Sequence, residues 1–148
     1  MMRTVAVVGA LLLGIGAVTA QQDAVKTLQA AMKGNGKSAG ALSAIVKGTN
    51  PYDQATVDAA LNQLDDTAKK FPTLFPESIK GMKGEGDYSP SPKIWDNKAD
   101  FEAHVASFAK AVAAAKSSVK DADTLKAALG PIGKSCGGCH ETFRIKNG

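Results

Sequence analysis

Two cysteines and a histidine lie together near the end of this 148-residue chain. Cys136, Cys139 and His140 belong to SCGGCHETFR, residues 135–144, which holds both cysteines and one of the two histidines. Cys-x-x-Cys-His is the attachment sequence for c-type haem. On a helix, positions i, i+3 and i+4 fall within one sector of about 100°. Both thiols can therefore bond to one edge of a porphyrin while the imidazole of His140 binds the iron.

Two other kinds of site use closely spaced cysteines. A Cys-x-x-Cys pair could form a disulfide or a thioredoxin-like redox centre, but that motif usually follows a strand, and the surrounding pattern predicts none. A zinc site would need further ligands, and His104 alone does not complete a plausible set. The sequence therefore favours one covalent haem per chain, attached through Cys136 and Cys139.

The first twenty residues have the composition of a secretory signal peptide. Arg3 precedes an apolar run from Val5 to Val18, and small residues continue to Ala20. The run is short for a helix that spans a bilayer, so we expect cleavage after Ala20 rather than an uncleaved membrane anchor. The mature domain is then residues 21–148, exported to the periplasm and not membrane-spanning.

Apolar spacing predicts four helices and a long connection between the second and third. The predicted helices run from about Gln22 to Val46, from an N-cap at Asp53, from about Asn97 to Lys120, and from Asp123 onward. The connection contains four prolines and three glycines. We expect a short helical turn within it, at about residues 77–81.

Four amphipathic helices with one apolar stripe each favour an all-α fold, an antiparallel up-down-up-down four-helix bundle. The stripes are rich in alanine, so the core that side chains alone can form is small. Gly137 and Gly138 each cost about 1 kcal/mol in helix propensity. We therefore expect the haem to lie in the bundle core and to supply part of its packing.

The motif and its place in the chain resemble the class II c-type cytochromes, the cytochrome c′ family. CGGCHETFR matches that family's Cys-x-x-Cys-His-x-x-aromatic-Arg pattern through Phe143 and Arg144. VKGTNPYD at 46–53 and PKIW at 92–95 are similar to other family segments. The likeness covers the whole of residues 21–148 and implies the same bundle with one haem c. It leaves a homodimer through the first two helices as open as a monomer.

The resemblance also indicates which residue faces the second side of the iron. In the family a residue of the first helix covers this distal face, and Met32 occupies that position. A thioether ligand would give His/Met ligation, which raises the reduction potential and suits electron transfer. Packing of Met32 in the core is one alternative, and ligation by Lys26 or Lys33 is another. Met82 lies in an interhelical loop.

Four other residues bear on the surroundings of the haem. Gly36 lies one turn after Met32 and would let the macrocycle approach the backbone, although a plain irregularity of the helix is an equal alternative. Arg144 could pair with a haem propionate or cover the proximal side, and Trp95 is expected to pack near the haem edge rather than simply cap the core. His104 is expected to be a surface histidine rather than a ligand.

This site predicts a periplasmic electron-transfer protein, not an enzyme, that exchanges electrons with periplasmic or membrane-bound redox proteins. The alternative is a five-coordinate haem protein of the cytochrome c′ type that binds NO or CO, in which Met32 does not ligate. The net charge of +4 would fall to +3 with the loss of Arg3, and lysines are interspersed with acids. Nucleic-acid binding is therefore not indicated.

Overall fold

The chain folds as a four-helix bundle with a few short elements between its helices. The computed structural model describes residues 12–148. In chain order the elements are α1 (Leu12–Val46), α2 (Gln54–Leu74), a 3-10 helix (Glu77–Ile79), β1 (Tyr88–Pro90), α3 (Lys93–Asp96), α4 (Lys98–Ser118), α5 (Ala122–Phe143) and β2 (Arg144–Lys146). Helix α1 packs on α2 and α5, and α4 also packs on both. The predicted all-α bundle is confirmed, as is the predicted helical turn after residue 76.

Side-chain caps set the first residues of α2 and α5. The carboxylate of Asp53 accepts a hydrogen bond from the Thr56 N–H at 2.7 Å, so the predicted N-cap is confirmed. Asp121 accepts from the Thr124 N–H at 2.8 Å, and the Thr124 hydroxyl accepts from the Asp121 N–H. This capping box satisfies two backbone donors. It starts α5 at Ala122, one residue earlier than predicted.

Helix α1 is described from Leu12, and so includes residues of the predicted leader as well as the helix predicted from Gln22. The predicted leader, residues 1–20, lies partly outside the described residues; its described part is helical and continues through Ala20 without a break. The prediction from Gln22 concerned the mature domain, and its predicted helix end at Val46 is confirmed. Among the described residues, no helix combines the length and apolar character needed to cross a membrane.

The apolar stripe predicted for α1 is buried at its two ends and open in its middle. The buried members are Val25, Leu28, Leu42 and Ile45. Met32 and Ala39, which lie between them, are only half-buried. Since a continuous helix cannot turn its middle away from the bundle, the half-burial marks a space between α1 and the other helices.

Two short strands lie outside the helices, one in the long connection and one directly after α5. Strands β1 and β2 pair antiparallel, with Ser89 opposite Ile145. Each has three residues, too few to show the alternating pattern that identifies a strand in a sequence. The sequence therefore predicted neither strand, and their pairing joins the long connection to the residues directly after the CGGCHETF segment.

A charged group between helices offers a test of how the bundle is held together. Asp65 of α2 accepts hydrogen bonds from Lys69 at 2.8 Å and from Lys116 of α4 at 2.6 Å. These bonds lower the pKa of the Asp65 carboxyl, the Lys116 bond most. We expect Asp65→Asn to reduce the free energy of unfolding by about 1 kcal/mol, since both lysines stay partly exposed. Denaturant titration of the two proteins measures the difference.

The loss should depend on pH in a defined direction. A lowered carboxyl pKa stabilises the folded state above the unfolded value of about 3.9. The stabilisation disappears as the pH falls through the folded pKa, so the two proteins should converge in acid. Asp66→Asn, at the exposed neighbouring position, is the control and should change stability little. Equal losses for both variants would contradict a specific role for Asp65.

Candidate haem cavity

A cavity of about 550 Å³ opens where the middle of α1 faces α4, α5 and the connection after residue 83. Its wall is mainly apolar and contains every phenylalanine of the chain: Phe71, Phe75, Phe101, Phe108 and Phe143. Each of these rings contacts at least one other, and the centroids of contacting rings are 4.9–5.9 Å apart. Such edge-to-face and offset contacts add to the energy of simple burial. The low aromatic content of the protein is therefore concentrated around one cavity.

Helix α5 brings the three motif residues to this cavity together. Cys136, Cys139 and His140 all line it, and all three are half-buried. Helical geometry explains the arrangement, since positions i, i+3 and i+4 share one face. Both cysteines are free thiols, so they are available to form bonds with another group.

Burial keeps these side chains uncharged at neutral pH. It raises the pKa of the Cys139 thiol to about 11, and it also raises the pKa of Cys136. Burial, followed by the charge of Arg144, lowers the pKa of His140. A neutral imidazole has a free nitrogen lone pair for a metal. The α5 side of the cavity therefore presents two thiols and one metal-binding nitrogen without a net charge.

Helix α1 supplies the residues that face the cavity from another side. Met32 and Gly36 both line it, and so does Lys33. A Cβ built on Gly36 would meet nothing within 4 Å, which leaves open space beside the α1 backbone. Lys26 does not line the cavity and instead forms an exposed ion pair with Glu85. Met82 also lies outside it and packs against the hydrophobic core.

The two remaining candidates, Arg144 and Trp95, differ in whether they line the cavity. Arg144 lines the cavity, with its guanidinium 4.1 Å from the centre of the Tyr88 ring. Trp95 does not line it; it packs against the hydrophobic core, and its indole N–H donates to the Phe75 carbonyl at 3.2 Å. The four-residue helix α3 turns Ile94, rather than the indole, into the cavity.

His104, which was expected at the surface, is half-buried. Its ring lines the cavity and packs edge-on against Phe143, with centroids 5.5 Å apart. The ring also lies against Gly138, where an added Cβ would stand 3.5 Å from the His104 Cε1 atom. The sequence placed His104 beside the apolar stripe of its helix, and the bundle turns that border position inward.

Sequence reasoning missed one whole wall of the cavity. Residues 85 and 87–90 line it, together with Gln29 of α1. The signal for this segment was only its glycines and prolines, which predict turns but not what the turns cover. Within the described residues, no cluster of three or more histidine, cysteine or acidic side chains forms an additional metal site.

The cavity fits the haem that the motif predicts. Its volume lies within the about 300–1,000 Å³ that is usual for ligand pockets. Imidazole and thioether groups are suitable axial ligands for haem iron. Asn35, which lines the cavity, has a buried Oδ1 atom without a hydrogen-bond partner among the described residues. Buried polar groups without partners are rare in complete native structures, so an additional group in this cavity is expected on physical grounds.

Comparison with known proteins gives consistent matches over the same region. The family model described as Cytochrome C′ matches residues 23–144. Cytochrome c-556 of Rhodopseudomonas palustris is 58% identical over 149 residues, covering 100% of both chains. The NMR-validated structural model for oxidized R. palustris cytochrome c556 superposes with a TM-score of 0.75, covering 86% of this chain and 99% of that one. A nitric oxide complex of a cytochrome c prime variant from Alcaligenes xylosoxidans is 30% identical, with a TM-score of 0.74 over 86% and 97% of the chains.

Proposed function

Because the chain belongs to the cytochrome c′ family of class II c-type cytochromes, we propose that it is a periplasmic electron carrier with His/Met ligation of its haem iron. Proteins of this family carry a covalently bound c-type haem, and one haem per chain fits the single motif here. They are electron-transfer or gas-binding haem proteins and not enzymes. The finer assignment concerns which residues hold the haem and what faces its iron.

Cys136 and Cys139 are proposed to attach the haem covalently, and His140 to bind the iron on the proximal side. Their common position on the cavity wall supports this assignment. Burial lowers the pKa of His140, which favours the neutral imidazole that can bind a metal.

Met32 is proposed as the distal ligand. The observation that carries the proposal is that Met32 and His140, on different helices, line one cavity. When bound, the haem supplies an iron that cycles between ferric and ferrous states, and His/Met ligation favours the ferrous state. The chain's part is to hold both axial side chains in place and to surround the iron with apolar groups. Phe71, Phe101 and Phe108 exclude water from the cavity by occupying its wall.

The export route belongs to the same proposal. We expect the leader to be cleaved after Ala20, and the family model beginning at residue 23 supports a mature domain that starts nearby. The partners are then periplasmic or membrane-bound redox proteins that give and take one electron. The bundle is compatible with a monomer and with a homodimer through α1 and α2.

A five-coordinate gas-binding protein is the second candidate. The similarity to a cytochrome c prime variant in complex with nitric oxide favours it. In that case Met32 would pack in the cavity wall without binding iron, and a small gas could enter between Met32 and the haem. The two candidates differ in one feature, the presence of a thioether on the iron.

The absorption spectrum of the purified holoprotein separates them. We expect the ferric protein to be low-spin, with the weak near-infrared sulfur-to-iron band of methionine ligation. The ferrous protein should bind carbon monoxide slowly, because the thioether must leave first. A ferric spectrum that is high-spin at neutral pH, together with rapid carbon monoxide binding, would reject the electron-carrier assignment in favour of the gas-binding one.

A further inference from the structure

We propose that residues 84–90, which we call the strap, together with Asn147, tether α1 near Met32 to the strand that follows α5. The inference deepens the proposed function, since the tether would hold the Met32 and His140 sides of the cavity at a fixed separation. The strap residues would then be positioning residues for the distal ligand, although none of them binds the iron.

At one end the strap is bound to α1. The Gln29 side-chain amide donates to the Glu85 carbonyl at 2.7 Å and to the Tyr88 carbonyl at 3.4 Å. Gln29 lies three residues before Met32, so both lie on the cavity side of the same helix. A Cβ built on Gly84 would stand 2.3 Å from the Gln29 Nε2 atom and 2.9 Å from the Tyr88 oxygen. This close approach requires glycine.

At the other end the strap is bound to the C-terminal residues. Strand β1 pairs with β2, and the Asn147 N–H donates to the Asp87 carbonyl at 2.8 Å. The Asn147 side chain donates to the Gly86 carbonyl at 2.6 Å and accepts from the Ser89 hydroxyl at 2.6 Å. The Ser89 oxygen in turn accepts from the Gly84 N–H at 2.8 Å. Ser89 is only 4% exposed, so water competes little for its two bonds.

The two ends act on the two sides of the haem cavity. Strand β2 starts at Arg144, directly after the last residue of α5 and four residues after His140. The connection from His140 to Met32 therefore runs through β2, the strap and Gln29 without crossing the core. Replacing Asn147 by alanine removes its side-chain hydrogen bonds at the centre of this connection. Every residue that lines the haem cavity stays unchanged.

The test is Asn147→Ala in the holoprotein. We expect carbon monoxide to bind the ferrous variant roughly tenfold faster, the factor that corresponds to about 1.4 kcal/mol. This is the scale of losing one or two net hydrogen bonds. The near-infrared sulfur-to-iron band should weaken and the reduction potential should fall. Carbon monoxide mixing, absorption spectroscopy and redox titration measure the three quantities.

Two controls separate positioning from general stability. Asn62→Ala removes an exposed asparagine of α2 and should leave the carbon monoxide rate unchanged. Asp65→Asn should lower stability without changing that rate, because its bonds join α2 to α4, away from the strap. If Asn147→Ala does not yield folded holoprotein, Ser89→Ala is used instead. It removes the hydroxyl that accepts from the Gly84 N–H and donates to the Asn147 side chain. Carbon monoxide rates within twofold of wild type in the folded strap variant would overturn the proposal.

The outcome is distinguishable from the test of the proposed function. If the wild-type protein lacks the sulfur-to-iron band, this result rejects ligation by Met32 and does not by itself reject the tether. In such a protein Met32 would still obstruct the distal face, so faster carbon monoxide binding in Asn147→Ala supports the tether, and an unchanged rate rejects it.

Discussion

Met32→Leu is expected to convert the ferric haem from low-spin to high-spin and to lower the reduction potential by roughly 0.1 V or more, within the about 0.8 V range that axial ligands set. Leucine has a similar volume but no sulfur, so the substitution removes the ligand while keeping the wall of the cavity. The ferrous variant should bind carbon monoxide much faster than the wild type, because no thioether has to leave. Spectroscopy, redox titration and stopped-flow mixing measure these changes.

Met82→Leu is the matched control. Met82 packs against the hydrophobic core outside the cavity, so its replacement should change neither the spin state nor the potential. Lys33→Ala tests the other α1 candidate, since Lys33 also lines the cavity. A Met32→Leu protein that keeps the wild-type spectrum and potential would exclude Met32, and a change confined to Lys33→Ala would assign the ligand to lysine.

Loss of the haem is expected to remove most of the cooperative stability of the fold. In Cys136→Ser/Cys139→Ser, prepared without haem, the cavity of about 550 Å³ has no covalent occupant. Its mainly apolar wall is then exposed to water, at a cost of about 25 cal/mol for each Å² of apolar surface. Typical domain stabilities are about 5–15 kcal/mol. We therefore expect helical far-ultraviolet circular dichroism with a broad thermal transition, as in a molten globule.

Glycines in the cavity-facing helices add to this effect, five of them close to the predicted haem contacts in sequence. Gly34, Gly36 and Gly40 lie within α1, and Gly137 and Gly138 lie within α5. Each costs about 1 kcal/mol relative to alanine. Wild-type holoprotein is the reference, and a thiol assay on it should find no titratable cysteine. A haem-free variant that unfolds sharply near the holoprotein's melting temperature would contradict the prediction, and two free thiols in coloured holoprotein would contradict covalent attachment.

The sequence by itself determined the features that depend on residues within one or two turns of helix. The cysteine and histidine spacing predicted a haem motif on one helix face, because that geometry is set by the backbone of α5 alone. Asp53 could be identified as a cap for the same reason, since its partner, Thr56, is three residues away. Periodicity likewise predicted the bundle helices, with errors of one or two residues at most ends.

The tertiary structure decided which side chains reach the cavity. Periodicity defines the apolar face of a helix but not how far that face is turned toward each neighbour. His104, which was expected at the surface, therefore lines the cavity, and Trp95 does not line it. The strap was also beyond the sequence, because residues as far apart as Ser89 and Asn147 meet only in the folded chain. Bonds between distant segments depend on how all four helices pack, and no local pattern records that packing.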